Sequence, residues 1–327
     1  MTARAVPTEW TDWAHDRCAA LIRNVEGFIH GKTSVVRDAV ICLLAEGHLL
    51  IEDVPGVAKT SLAKAIASSI SGSMKRIQFT PDLLPSDVIG VQTWDTREEK
   101  FQFRKGPVFA HIVVADEINR ASPKTQSALL EAMAEHQVTV DGKLYPLPQP
   151  NVVIATQNPI DLQGTYALPE AQLDRFMMLL RVGYPNTEHE MHIVRDAVAR
   201  RLPHQLQPVI TIDDVRQMIE IARSVEVTSS IQRYIVTLVA NTRTVKHVRL
   251  GASPRASNAL AVASQARAIV YEGRSFVTAD DVKAVARSVL GHRLLLTSEA
   301  AVQGHTAEDL IDEIMASVAV PQGPPGE

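Results

Sequence analysis

Cysteine is nearly missing from this chain of 327 residues: Cys18 and Cys42 are the only two. They lie far apart and form no CxxC pair, which argues against a disulfide framework or a zinc-thiolate site and predicts a reducing compartment. Long apolar runs are missing too. No stretch of about 18 apolar residues occurs, as a membrane span would need. The N-terminal "MTARAVPTEWTDWAHDR" has no apolar segment of the signal-peptide kind. Positive charge is not in excess either. The formal net charge is −4, so no global field draws the chain to nucleic acid or anionic lipid. These absences predict a soluble, cytoplasmic protein with no membrane segment. What is present is ordinary globular composition, 46% apolar and 21% charged with 16 Gly and 18 Pro. That is enough for one large or two modest domains with a sizeable core.

Apolar periodicity divides the chain. Residues 10 to 46 carry helical spacing broken at Gly27 and Gly31, and lead into a first strand, His48 to Val54. "KRIQFT", "HIVVADE" and "NVVIATQ" read as buried parallel strands and "MMLLRVGYP" as a fifth. Helical patterns at 59 to 70 and 122 to 135 lie between them, which predicts an α/β fold on a five-stranded parallel sheet. Two stretches interrupt the alternation, at about 91–105 and about 137–149, and read as hairpins, the second around Asp141-Gly142. After Asn186 helical periodicity takes over, with starts marked by Ser253-Pro254 and by Thr278 followed by Asp281. The expected organisation is an N-terminal segment (1–14), an α/β core (15–185), an all-helical domain (186–317) and a disordered Pro/Gly-rich tail (318–327).

"IEDVPGVAKTSLAKAI", residues 51 to 66, has the outline G-x-x-x-x-G-K-[ST], with Asp53 and Ala58 where the outline has glycine. A strand end, Val54-Pro55-Gly56-Val57-Ala58, and Lys59-Thr60-Ser61 opening a helix are the parts of a phosphate-binding loop. Backbone N–H groups converge on the anion, Lys compensates charge and Thr reaches magnesium. Gly56 is the residue needing conformational freedom. By itself this match leaves a coincidental strand-turn-helix as a rival. At 112 to 117 an apolar run ends in Asp116-Glu117, suited to holding magnesium and polarising a water. An acidic pair at a strand end is common in isolation. "VVIATQNP" ends a further strand at Asn158, a residue type that also initiates turns. Arg175 precedes the last strand and Arg255 lies early in a helix, where guanidinium groups neutralise phosphate charge or are merely solvated.

In order and spacing, "EDVPGVAKT", "VVADEINRA", "ATQNP", "GTYALPEAQLDRFMM" and "GASPRA" closely resemble the MoxR family of AAA+ ATPases over roughly residues 15 to 295. Asp53 matches the family's "EDVPG", whereas Ala58 departs from its commoner "GVGKT". The resemblance implies a nucleotide-binding core with a helical lid, and ATP and Mg²⁺ as cofactors. It implies that Lys59 and Thr60 bind phosphate and Mg²⁺, that Asp116 supports Mg²⁺, that Glu117 is the catalytic base and that Asn158 is sensor 1. Arg175 would be an arginine finger and Arg255 sensor 2, while Ile29, His30 and Gly31 would pack near adenine. "GKT" at 31–33 follows no strand and is a decoy.

Three functions stay open at this point. The first, implied by the resemblance, is an ATP-driven, chaperone-like machine for maturing protein clients, including metal or cofactor insertion. It would work as a homo-oligomeric, hexameric ring beside client enzyme complexes and a partner with a von Willebrand factor A domain. The second is a nucleic-acid translocase, for which Arg97, Lys100, Arg104 and Lys105 speak and against which the acidic balance stands. The third is a slow nucleotide-dependent scaffold, motivated by Ala58. Trp94, Phe101 and Phe103 in the first hairpin either grip a client or pack on the domain. His189 and His192 lack metal-site spacing and read as helix-surface residues. Arg120 reads as solvated, and Trp10 and Trp13 as anchors for the N-terminal segment.

Overall fold

The computed structural model describes residues 7–54, 57, 59–158 and 165–321. Helix α1 (Thr8–Glu26) buries one face through Ala14, Cys18, Leu21 and Val25, whereas α2 (Thr33–Leu44) is buried on all sides from Ala39 to its end. Burial pushes both cysteine thiols up in pKa, as expected of inert core residues. Gly31 separates the helices at φ +69°, and a Cβ there would lie 2.3 Å from His189 Nδ1, so the position needs glycine twice over. Trp13 packs on the core, but Trp10 is exposed and anchors nothing.

The chain then runs through β1 (Leu49–Glu52), α3 (Lys59–Ser68), β2 (Ile70–Ser71), β3 (Met74–Gln78), α4 (Pro85–Ile89), β4 (Gly90–Asp95), β5 (Lys100–Lys105) and β6 (Ile112–Asp116). It continues through α5 (Pro123–Glu135), β7 (Gln137–Val140), β8 (Lys143–Pro146), β9 (Val152–Gln157), α6 (Glu170–Leu173) and β10 (Met178–Leu180). Five strands form one parallel sheet in the order β10-β1-β9-β6-β3. The apolar runs of β1, β6 and β9 are interior because these strands have neighbours on both sides and helices on both faces. "KRIQFT" departs from the expected buried strand: β3 pairs only with β6, and of its residues only Ile77 is buried. An edge strand can carry polar residues, and this one carries Arg76 and Gln78.

The β4–β5 and β7–β8 hairpins stand apart from the sheet. In the second, positive φ at Asp141 and Gly142 provides the tight turn that its sequence predicts. The hairpins lean on each other through stacked Phe103 and Tyr145, 4.1 Å between ring centroids, and through a 3.3 Å hydrogen bond from Gln92 Nε2 to Tyr145 Oη. The three aromatics of the first hairpin thus divide: Phe103 packs, while Trp94 and Phe101 meet edge to face at the tip and stay 54% and 68% exposed.

The second half holds α7 (Thr187–Val198), β11 (Ile210–Thr211), α8 (Ile212–Arg223), α9 (Ser229–Asn241), β12 (Val248–Leu250) and α10 (Pro254–Glu272). After these come α11 (Ala279–Leu290), β13 (Leu295–Leu296), α12 (Ser298–Val302) and α13 (Ala307–Ser317). It is helical, as the periodicity predicts, apart from a β12–β13 ribbon and β11, which pairs with β2. Helix α10 packs against α1, α2, α8, α9 and α11, and its burial on several sides explains why its sequence is so weakly amphipathic. Helix α11 starts in the capping box foreseen at Thr278 and Asp281. Asp281 is fully buried and also paired with Arg267 and Arg274. Among the described residues no helix is long and apolar enough to cross a membrane.

Candidate functional site

Parallel strands that start together end together, so the polar tails of β1, β3, β6 and β9 gather at the carboxyl edge of the sheet. From β6 comes Asp116, buried, whose carboxylate accepts from Thr60 Oγ1 at 2.8 Å and from Arg76 Nε at 2.6 Å. Glu117 follows with φ 56°, a left-handed conformation uncommon for a residue with a side chain. Its N–H is held by Thr156 Oγ1 at 3.0 Å, and its carboxylate accepts from Gln78 Nε2 and Arg120 Nη1, each at 3.0 Å. Arg120 is therefore a half-exposed arginine that also pairs with Glu117. Asn158 closes β9, and its carbonyl accepts from Asn119 Nδ2 at 3.1 Å.

Lys59 opens α3, where the helix N-terminus adds a partial positive charge. Its ammonium donates to the Asp53 carbonyl and, at 2.9 Å, to that of Gln157. Burial lowers its pKa, and the carboxylates of Asp53, Glu117 and Glu52 oppose that shift. The Asp53 carboxylate accepts from the N–H groups of Val54 and Gly183, which accounts for aspartate where the phosphate-loop outline has glycine: the residue ties β1 to the chain after β10. Pro55, Gly56 and Ala58 lie outside the described residues.

Beside this edge is a cavity of about 270 Å³, lined by Ile29, His30, Val57, Ser61, Val182 and Ile193 among others. Its walls are mostly apolar, with His30 held by Asp196 at 2.7 Å, and its shape and lining suit a flat heteroaromatic group. Gly31 does not line it but sets the turn behind it. His189 and His192 lie half-buried on the surface of α7, the first beside Gly31 and the ring of the second 5.2 Å from that of His30.

Arg175 and Arg255 are elsewhere. They share a second cavity, about 370 Å³, with His48, Met133, Asp174, Arg223 and Arg293. This cavity lies at the amino edge of the sheet, since His48 precedes β1 and Arg175 precedes β10, whose Met178 pairs with Leu49. From His48 to Asp53 the chain climbs about 16 Å at the rise of an extended strand, so these arginines and Lys59 sit at opposite ends of the same strands. Neither guanidinium makes a hydrogen bond or ion pair among the described residues. Of the residues singled out in the sequence, Lys59, Thr60, Asp116, Glu117 and Asn158 are thus brought to one edge, Ile29, His30, Val57 and Ser61 to the adjoining cavity, and the two arginines to the other edge. Arg76 and Gln78 were missed. Their signal was the polar alternation of β3, whose Gln78 registers with Asp116.

Comparison with known proteins agrees with this layout. Residues 48–178 match the family model described as ATPase family associated with various cellular activities (AAA), and residues 240–314 match an AAA lid domain. The chain is 46% identical over 307 residues to the uncharacterized protein YeaC of Bacillus subtilis, covering 94% of this chain and 96% of that one. It is 41% identical over 311 residues to Chaperone MoxR1 of Mycobacterium tuberculosis, covering 92% and 81% respectively. A crystal structure of a candidate ATPase from Cytophaga hutchinsonii superposes with a TM-score of 0.89 at 36% identity, over 96% of this chain and 98% of that one.

Proposed function

Since the chain belongs to the MoxR family of AAA+ ATPases, we propose that it hydrolyses ATP within a closed ring, remodelling or maturing protein clients, with each nucleotide site completed by a neighbouring subunit. The observation that carries this reading is the separation of Arg175 and Arg255 from Lys59 and Glu117 by the length of the sheet. Arginines so placed cannot neutralise phosphate on their own subunit, but a head-to-tail contact puts one subunit's amino edge against the next one's carboxyl edge. Repeated around a closing rotation, that contact gives a ring, and a hexamer is the size we expect.

Within a subunit, residues 15–185 would form the nucleotide-binding core and 186–317 the lid. Lys59 and the start of α3 bind the phosphates, and Ile29, His30, Val57 and Ser61 surround the base. Val54 and Gly31 shape the two turns beside them. Asp116 and Thr60 offer hard oxygen donors 2.8 Å apart, which fits Mg²⁺, an ion that takes few protein ligands and completes its shell with phosphate and water. Among the described residues there is no cluster of three or more His, Cys, Asp or Glu to hold a metal without a substrate. When bound, Mg²⁺ neutralises charge on the phosphates. Glu117 serves as the base that orients and deprotonates the attacking water, and Asn158 at the end of β9 positions that water. Arg175 and Arg255 from the neighbour offset the charge that develops on the transferred phosphoryl group.

Chaperone-like work on protein clients, including metal or cofactor insertion beside a partner with a von Willebrand factor A domain, is the finer part of the proposal. It is supported by kinship with Chaperone MoxR1 and by the exposed Trp94–Phe101 tip. The translocase reading keeps Arg97, Arg104 and Lys105 exposed on the same hairpin, with Lys100 in an exposed pair with Glu98, and the acidic balance of the chain stands against it. The test is a mixing experiment. Arg175→Ala and Lys59→Ala should each be inactive alone, the first by about 10³-fold in kcat. Mixed, they should regain turnover, because an intact Lys59 then meets an intact Arg175 from its neighbour. No recovery in mixtures shown by native mass spectrometry to contain both variants in one ring would sink the trans assignment.

A further inference from the structure

Asp174 stands immediately before Arg175, and its surroundings give it a part that the sequence motif does not announce. Its Oδ1 accepts from Arg293 Nε at 2.7 Å, and its Oδ2 accepts from Ser253 Oγ at 3.3 Å. Ser253 occupies the N-cap position of α10, the helix whose second residue is Arg255, yet it makes no capping hydrogen bond and turns its hydroxyl to Asp174 instead. One carboxylate therefore touches the chain next to Arg175 and the chain two residues before Arg255.

Arg293 fixes the same segment by its backbone. It leaves α11 on a short turn, with its side chain only 4% exposed. Its remaining N–H groups donate to the carbonyls of Phe176 at 2.8 Å and Met177 at 3.0 Å, and to Val289 of its own helix. Its neighbour His292, kept neutral by burial with a pKa of about 3, donates from Nε2 to the Phe176 carbonyl at 3.0 Å. The 174–177 segment is thus gripped by two consecutive side chains from the helical half. Arg175, in its midst, and Arg255 line the cavity and have no hydrogen-bond or ion-pair partner for their guanidinium groups among the described residues. A guanidinium buried this fully needs its counter-ion, and apolar replacement of such a pair is commonly as stable. The pair is therefore weak evidence for stability, and what its geometry does supply is direction, since it fixes Asp174 beside Arg175.

We infer that Asp174 is a positioning residue which, through Arg293 and Ser253, holds Arg175 and Arg255 at a fixed separation, so that lid and core present both arginines to the neighbouring subunit as one unit. This rests on the reading of the two arginines as trans-acting. It adds that motion of the lid is transmitted to Arg175 through a carboxylate rather than through the apolar interface alone.

The experiment compares Asp174→Asn, Ser253→Ala and the double variant Asp174→Asn/Arg293→Met with the parent and with Arg175→Ala. The readouts are ATP turnover, KM, thermal midpoint and the distance between spin labels at the exposed positions Ala171 and Asn258. The double variant keeps the test open if Asp174→Asn fails to fold around an unpaired Arg293. It should raise the thermal midpoint above that of Asp174→Asn, though short of the parent because Arg293 also serves the Phe176, Met177 and Val289 carbonyls, yet lose up to about 100-fold in kcat, the cost of a displacement of roughly 1 Å, with KM unchanged because the cis site is intact. Its label-to-label distribution should broaden. Ser253→Ala should fall in between. A double variant with parental turnover and a parental distance distribution would make the pair structural only and overturn the inference. If Arg175→Ala turns over like the parent, the trans reading falls instead, and the spin-label distances still decide whether Asp174 sets the arginine spacing.

Discussion

The carboxyl and amino edges of the sheet are built from the same strands, yet they treat charge in opposite ways. At the carboxyl edge the groups that meet phosphate or water are already engaged inside the subunit: Lys59 with two carbonyls, Thr60 and Arg76 with Asp116, Gln78 and Arg120 with Glu117. At the amino edge Arg293 is fully engaged, but Arg175 and Arg255 are not. On the proposed reading, the first edge is the part of the nucleotide site that one subunit supplies and the second is the part it lends to its neighbour. Arginines without an internal partner over an open cavity gain most when an anion arrives from outside, and in the proposed ring a neighbour's phosphates would supply one.

The largest effect should come from Lys59→Ala. If the carboxyl edge carries ground-state phosphate binding, this one change should abolish nucleotide binding, read by titration calorimetry, while no amino-edge substitution changes affinity noticeably. Retained affinity would break the comparison at its root. Next, Glu117→Gln should keep nucleotide affinity and lower kcat by about 10²- to 10⁴-fold, the usual worth of a general base. Single-turnover measurements would show whether the step lost is chemistry, and unimpaired hydrolysis would move the base to another residue. Smaller again, Arg255→Ala should lower kcat by roughly 10- to 100-fold, the value of a charge-assisted hydrogen bond, and leave KM alone. A rise in KM with unchanged kcat would place Arg255 at its own subunit's nucleotide and make the two edges less distinct than they look.

The carboxyl edge was the more legible in sequence, for a physical reason. The residues assigned to phosphate chemistry there stand in short contiguous runs at strand ends, so Lys59-Thr60, Asp116-Glu117 and Asn158 announce themselves next to apolar strands. The five-stranded sheet followed from the same runs, because a central parallel strand must be apolar on both faces. The residues that hold these groups were not legible. Gln78 reaches Glu117, and Arg76 reaches Asp116, only because β3 lies beside β6, a pairing that spans nearly 40 positions of sequence. The amino edge is assembled wholly from such distant pieces: Asp174, Ser253 and Arg293 share no motif and meet through the packing of the helical half on the sheet. Trp10 shows the converse error. An aromatic near the N-terminus suggests an anchor, but α1 turns that face to solvent.

The smallest effect concerns the floor of the amino-edge cavity, where burial lowers the pKa of His48 to about 4. Its Nδ1 accepts from Val153 N–H at 3.1 Å, so Nε2 carries the proton and donates to the Met133 carbonyl at 3.2 Å, a neutral ring joining β9 to α5. An unfolded histidine titrates near 6.5. The folded pKa lies below that, so between about 6.5 and 4 the unfolded chain binds the extra proton, and stability falls as the solution is acidified through this window. From pH 7 to pH 5 His48 should withdraw about 2 kcal/mol. Asp38 works in the other direction: its buried carboxyl is raised to about 6, so the folded chain takes up a proton first and returns about 1 kcal/mol over the same interval. Comparing denaturant midpoints of the parent with those of His48→Gln, which can still accept and donate, separates the two. The variant should lose about 2 kcal/mol less than the parent between pH 7 and pH 5. Equal slopes would mean that His48 is charged in the folded protein, and the arginines above it would then face a third cation rather than a neutral floor.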